Sequence, residues 1–271
     1  DSAVAVFSGS GNNTARWVAV DSSGNVYTAG QFWGTVDFDP GAGTVNLTSN
    51  GAEDVFVSKL DSSGDLVWAK NFGGLSYEYV FSVAVDSSGN VYTTGTFYST
   101  VDFNPDPDET ANLTSNGGTD VYVSKLDSSG NYLWAKSWGG DSSDKAESVA
   151  VDSSGNVYTT GRIWAGSGVG DEPPPVDFDP DPDPSATAYV TEASGYEVFI
   201  SKLDSSGDYV WAKSLSGAAS GVGYSVAVDS SGNVYTTGYF SDTFDFDPDP
   251  DETANLDAVV YSDIFVSKLD S

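Results

Sequence analysis

The chain is 271 residues long, 39% apolar and 13% aromatic, which is enough for a core, and its 40 acidic against 10 basic residues give a net charge of −30. It holds no Cys and no His, which excludes disulfides, thiolate or imidazole metal sites, and Ser-His-Asp or Cys-His catalysis. The charge repels phosphates and anionic lipid, so nucleic acid is not an expected partner, and no apolar run approaches the roughly 20 residues of a bilayer span, so no membrane insertion is expected.

The chain opens at Asp1 with neither Met nor a cationic, apolar leader, which predicts an exported product, extracellular or at the cell surface, with its signal peptide removed. Sequons at Asn12, Asn46 and Asn112 fit that location as candidate glycosylation sites. The motif Val-Ala-Val-Asp-Ser-Ser-Gly-Asn-Val-Tyr-Thr then begins at Val18 and returns at Val83, Val149 and Val226, at intervals of 65, 66 and 77. Such self-similarity marks a repeat architecture, and a Gly- and Pro-rich insertion at about residues 165–175 accounts for the longer third interval.

Each copy reads as two hairpins, because period-two apolar runs flank an Asp-Ser-Ser-Gly turn whose Gly can take the positive φ required. In the second copy these are residues 82–97 and 121–138. Four antiparallel strands per copy is the content of one propeller blade. The blades fall at about residues 17–73, 82–139, 148–215 and 224–269. The fourth copy stops at Asp270-Ser271, where the others turn into a last strand, and the vacancy is filled by strand 2–8, aligned with Asp1 on Asp65. The expectation is an all-β, single-domain chain (1–271): a four-bladed β-propeller of four ~66-residue, four-stranded repeats, its N-terminal strand completing the last blade. The same strand inserted into a neighbour would build a head-to-tail filament.

The repeated Val-Ala-Val-Asp-Ser-Ser-Gly-Asn-Val-Tyr, Val-Asp-Phe-Asp-Pro, Asn-Leu-Thr-Ser and Val-Ser-Lys-Leu-Asp-Ser-Ser-Gly segments, the last running into Trp-Ala-Lys, resemble the bacterial β-propeller repeat family known as SBBP. The resemblance covers nearly the whole chain. It implies a secreted or surface protein with several repeats and no general enzymatic activity, so it speaks to fold and location rather than to a reaction.

The link between the two hairpins of each copy alternates Asp with Pro or Phe: Asp37 and Asp39; Asp102, Asn104, Asp106 and Asp108; Asp177, Asp179, Asp181 and Asp183; Asp245, Asp247, Asp249 and Asp251. Proline stiffens these segments, and oxygen ligands presented at alternate positions suit a hard cation, Ca²⁺ above all. The other reading makes them solvated caps on the strands, and a halophile's acidic surface would give the same bulk charge. The turn residues Asp21, Asp86, Asp152 and Asp229 are expected to accept hydrogen bonds from their own turn rather than bind an ion. Trp68, Trp134 and Trp211, and Tyr27, Tyr92, Tyr158 and Tyr235, recur in register and read as packing between blades. Lys59, Lys125, Lys202 and Lys268 recur too, and are expected to pair with carboxylates. Trp33, Trp138 and Trp164 lie near loop ends, within reach of a ligand.

A glycosidase needs only two carboxylates, yet catalysis asks for one asymmetric site, and every acidic cluster here has near copies elsewhere, so no enzyme is expected. The expected function is a non-catalytic extracellular structural or adhesive module that binds calcium and self-assembles through its end strand, partnered by itself or by surface polysaccharide or protein. The alternative is a glycan-binding, lectin-like propeller using the loop aromatics and the 165–175 insertion.

Overall fold

A computed structural model describes residues 4–164, 176–181, 188–189, 195–217, 220–249 and 251–271. Its regular structure among these residues is strand alone. A two-residue strand β1 (Ser8–Gly9) leads into the first repeat: β2 (Asn13–Val20), β3 (Val26–Phe32), β4 (Thr35–Asp37), β5 (Asn46–Thr48), β6 (Asp54–Leu60) and β7 (Leu66–Gly74). The second repeat holds β8 (Glu78–Val85), β9 (Val91–Phe97), β10 (Thr100–Asp102), β11 (Asn112–Thr114), β12 (Asp120–Leu126) and β13 (Tyr132–Trp138). The third holds β14 (Lys145–Val151), β15 (Val157–Trp164), β16 (Tyr196–Leu203) and β17 (Tyr209–Gly217). The fourth holds β18 (Gly221–Val228), β19 (Val234–Phe240), β20 (Thr243–Asp245), β21 (Asn255–Asp257) and β22 (Asp263–Leu269).

The four strands read from sequence in each of the first three repeats are all present and antiparallel. Their turns are closed as the motif demands. Asp21 donates its N–H to the Asn25 carbonyl at 3.1 Å, and Gly24, at φ +81°, donates to the Asp21 carbonyl at 3.0 Å. The first strand of every repeat carries a register irregularity at one equivalent place, Ala15/Trp17, Val80/Ser82, Ala146/Ser148 and Gly223/Ser225, which bends it locally.

Two features depart from the sequence reading. The acidic link is not a plain loop: β4–β5, β10–β11 and β20–β21 are small hairpins in register Asp37↔Asn46, Asp102↔Asn112 and Asp245↔Asn255. These hairpins add to the end of the preceding repeat's last strand, Gly73 and Gly74 pairing with Asp102 and Val101, and Ser216 and Gly217 with Asp245 and Phe244. The last sheet is three-stranded, β18-β19-β22, and the N-terminal segment forms its pairs with β4 instead, Ser8↔Asp37 and Gly9↔Val36. Those pairs equate Gly9 with Gly74, one residue off the alignment of Asp1 on Asp65. A slip of one residue turns every side chain to the opposite face of a strand, so it is Phe7 that takes the place of Phe72.

The chain divides into two compact units, Asp1–Thr114 with Val123–Ala135, and Ser115–Tyr122 with Lys136–Ser271. The first contains sheets β1-β4-β5 and β11-β10-β7-β6-β3-β2; the second contains β14-β15-β16-β17-β20-β21 and β18-β19-β22. In the fifth sheet, β13-β12-β9-β8, the division falls within β12 and β13. Phe32, Val36, Phe38, Phe56 and Ala69 build one core cluster of the first unit, with Phe7 packed against it. In the second unit Tyr158, Val198, Ile200, Leu215 and Phe244 are among the buried residues of a larger one.

Candidate functional site

The Val-Asp-Phe-Asp pattern explains the geometry of the acidic hairpins. Alternation buries Val36 and Phe38, Val101 and Phe103, and Val176 and Phe178, leaving the Asp residues outward. Each leading carboxylate then closes its hairpin from both sides. Asp102 Oδ1 accepts N–H groups from Asn104 at 3.0 Å and Ala111 at 2.8 Å, and Asp37, Asp177 and Asp245 do the same with Asp39 and Val45, Asp179 and Ala188, and Asp247 and Ala254. The chain continues as a ladder of i+2 bonds: Asp39 accepts from Gly41, Asn104 from Asp106, Asp106 from Asp108, Asp179 from Asp181, Asp247 from Asp249, and Asp249 from Asp251. Asp183 and the 165–175 insertion lie outside the described residues. Among the described residues the acidic side chains form no group of three or more suited to a metal ion.

The turn aspartates do what a turn opener does. Asp21 Oδ1 accepts N–H groups from Ser23 and Asn25, while Oδ2 takes the Asn25 amide at 2.7 Å and the Tyr27 hydroxyl at 3.0 Å. Asp86, Asp152 and Asp229 repeat all four bonds. The hydrogen bond from the Asn25 side chain is the main influence holding the Asp21 carboxyl below the usual range. The recurring lysines are placed otherwise than expected. Lys59, Lys125 and Lys202 sit over the rings of Tyr27, Tyr92 and Tyr158 at 5.0, 5.1 and 5.1 Å, cross-strand register setting Lys59 opposite Tyr27 and Lys202 opposite Tyr158; Lys268 meets a carboxylate in a salt bridge, Asp270 at 2.8 Å.

The irregular tryptophans part ways. Trp33 is 54% exposed, whereas Trp138, expected within a ligand's reach, is 2% exposed and packs on Phe178 and Phe199. Register explains the difference, since Trp138 occupies the inward place of Phe72. Trp164 is half-buried with its ring centroid 4.7 Å from that of Tyr196. The sequon residues Asn12, Asn46 and Asn112 are all exposed, the latter two in β5 and β11.

Sequence reasoning missed the most unusual electrostatic feature, a pair of buried carboxyls where one repeat passes into the next. Asp54 and Glu78 form one pair, and Asp120 and Asp144 the other; none is more than 1% exposed. Burial raises Asp54 to about 6 and Glu78 to about 7, the latter helped by the Asp54 charge; it raises Asp120 to about 7, helped by Asp144, and lifts Asp144 as well. In sequence the signal is a diglycine followed four residues on by an acid, Gly73-Gly74 to Glu78 and Gly139-Gly140 to Asp144.

The first and last repeats also differ from the interior ones. Val55, Val57, Val121, Val123, Val198 and Ile200 are all 0% exposed, yet their equivalents on β22, Ile264 and Val266, are 87% and 76% exposed. On β2, Val18 and Val20 are 66% and 59% exposed, while Val149 and Val226 at the first of these places are buried. A cleft of ≈ 660 Å³ runs between residues 4–7 and the first repeat, its walls including Phe32, Phe56 and Leu60.

Antiparallel units of three or four long strands, repeated with the same capped turns and, in the first, second and fourth, the same small hairpin, define a β-propeller repeat protein. The SBBP family, a beta-propeller repeat, matches the chain at residues 67–103, 135–167 and 210–239. The chain is also similar to an uncharacterized WD repeat-containing protein of Acanthamoeba polyphaga mimivirus, 27% identical over 225 residues, covering 77% of this chain and 16% of that protein. It is similar as well to the regulatory protein FlaEY of Caulobacter vibrioides, 31% identical over 112 residues, covering 41% of this chain and 12% of that protein. The chain thus spans less than a fifth of the length of either relative.

Proposed function

We propose that the chain is a non-catalytic structural or adhesive module of the cell exterior, a four-bladed propeller whose last blade takes its fourth strand from the segment before Ser8. The observation that carries this reading is the contrast between the exposed Ile264 and Val266 and their six buried equivalents. Apolar side chains that are covered in three copies and bare in the fourth mark a surface built for a neighbour. The packing of Phe7 supports the same assignment: its ring lies 5.1 Å from Phe38, as Phe72 lies 5.1 Å from Phe103. Residues 4–7 therefore lead into the first repeat as β7 leads into the second. Calcium on the stiff Asp-Pro hairpins, and self-association or a surface polysaccharide or protein as partner, belong to this reading.

Deleting residues 1–7 tests it. The thermal midpoint is expected to fall by several degrees and to recover when a peptide of residues 1–9 is supplied in trans. An unchanged midpoint overturns the reading. Solution mass against concentration then separates a ring closed within one chain, which stays monomeric, from strand exchange between copies, which grows. A second reading, glycan binding, is favoured by the exposed Trp33 ring, and is tested by a glycan array on wild type and Trp33→Ala.

A further inference from the structure

We propose that each of the two diglycine junctions, Gly73-Gly74 and Gly139-Gly140, holds one calcium-sized divalent cation between its two buried carboxylates. Asp54 and Glu78 converge on the first diglycine. A Cβ on Gly73 would lie 2.3 Å from the Asp54 carboxyl carbon, and the Gly74 N–H donates to Glu78 Oε2 at 3.1 Å. Asp120 and Asp144 converge on the second in the same way. A Cβ on Gly139 would lie 2.4 Å from the Asp120 carboxyl carbon, and the Gly140 N–H donates to Asp144 Oδ2 at 2.8 Å. The acids of each pair stand 24 residues apart, Asp54 to Glu78 and Asp120 to Asp144. The two junctions lie one in each compact unit, so the arrangement occurs twice independently.

The second observation is an unsatisfied oxygen in each pair. Glu78 Oε1 and Asp120 Oδ1 are buried without a hydrogen-bond partner. Among the described residues, no salt bridge reaches any of the four carboxyls. A buried carboxylate with no counter-charge is costly to keep ionised, and two within reach of each other's charge are costlier still. Hydrogen bonds from backbone N–H groups and the Asn71 amide offset part of it but supply no positive charge. A divalent cation cancels both charges, and hard oxygen donors are the ligands such an ion takes. The third repeat lacks the pair, with Glu197 at the place of Asp54 and Gly221 at the place of Glu78, so the proposal extends to the first two junctions alone.

This site is separate from the Asp-Pro hairpins, and the experiment keeps the two apart. Chelator-stripped full chain is titrated with CaCl₂ at pH 8, reading thermal midpoint and, with Tb³⁺ in its place, luminescence sensitised by Tyr79 and Trp164 beside the junctions. The wild type is expected to show a Ca²⁺-dependent rise in midpoint. Glu78→Gln or Asp120→Asn should remove about half of that rise, and the double variant should weaken the apparent affinity at least tenfold. A hairpin variant, Asp106→Asn with Asp249→Asn, should leave it intact. Native mass spectrometry of the wild type, which needs no variant to fold, should find two ions retained at trace free Ca²⁺. Fewer than two retained ions, or a Ca²⁺ response undiminished in the double junction variant, overturns the proposal.

Discussion

Asp152 shows how much one turn aspartate holds. Its carboxylate takes N–H groups from Ser154 at 2.8 Å and Asn156 at 3.0 Å, the Asn156 amide at 2.7 Å and the hydroxyl of Tyr158 at 3.1 Å. Tyr158 is fully buried, so losing the acceptor removes this partner from its hydroxyl as well as opening the turn. Asp152→Ala is therefore expected to cost roughly 2–3 kcal/mol of unfolding free energy, read by urea denaturation at pH 7. The same bonds set the pH dependence. Burial acts to raise this carboxyl, yet the Asn156 and backbone hydrogen bonds prevail and leave it below 3.8. A depressed folded-state value means that the stabilisation is present above the unfolded value and is lost as pH falls through the folded one. The gap between wild type and Asp152→Ala should then narrow steadily below pH ~3.8, and a gap that stays constant to pH 2 would show that the carboxylate's charge plays no part. These caps were legible because an Asp opening a tight turn has few other things to do. The lysines misled for the opposite reason: residue type suggested an ion pair, while the register of β3 on β6 places Lys59 against Tyr27, and only pairing fixes register.

At the scale of elements, the long strands and their turns could be read because period-two alternation and Asp-Ser-Ser-Gly agree with each other in every copy. The hairpins β4–β5, β10–β11 and β20–β21 escaped because three-residue strands carry too little pattern, and Asp-Pro segments look like loop. The junction carboxyls escaped for a different reason: in a chain with 40 acidic residues, a single acid after a diglycine does not stand out until folding buries it. Equivalent elements also give a direct test of the last blade. Val57 on β6 is fully buried, so Val57→Ala should cost about 2 kcal/mol. Val266 sits at the same place on β22 but 76% exposed. If a fourth strand and a neighbouring blade cover β22 in solution, Val266→Ala should cost a comparable amount. A change below about 0.5 kcal/mol, the range of ordinary surface substitutions, would leave that face open and count against the closed blade.

The net charge of −30 belongs to the whole molecule, and no single contact explains its consequence. Like charges on one folded chain repel one another, and that repulsion weakens as the screening length shrinks from about 10 Å at 0.1 M salt to about 3 Å at 1 M. Raising NaCl from 10 mM to 1 M in the presence of chelator should therefore raise the thermal midpoint monotonically, whichever monovalent cation is used. Ca²⁺ at the junctions should behave differently. Buried pairs are screened far less than exposed ones, so a stabilisation centred on Asp54, Glu78, Asp120 and Asp144 should persist, reduced but measurable, when millimolar CaCl₂ is added on top of 1 M NaCl. Ions condensed on the exposed Asp-Pro hairpins would lose their advantage under the same conditions, because monovalent salt competes for the same diffuse field. A Ca²⁺ increment that vanishes at 1 M NaCl would therefore assign all divalent stabilisation to the surface, and an increment that survives would assign it to groups already out of water.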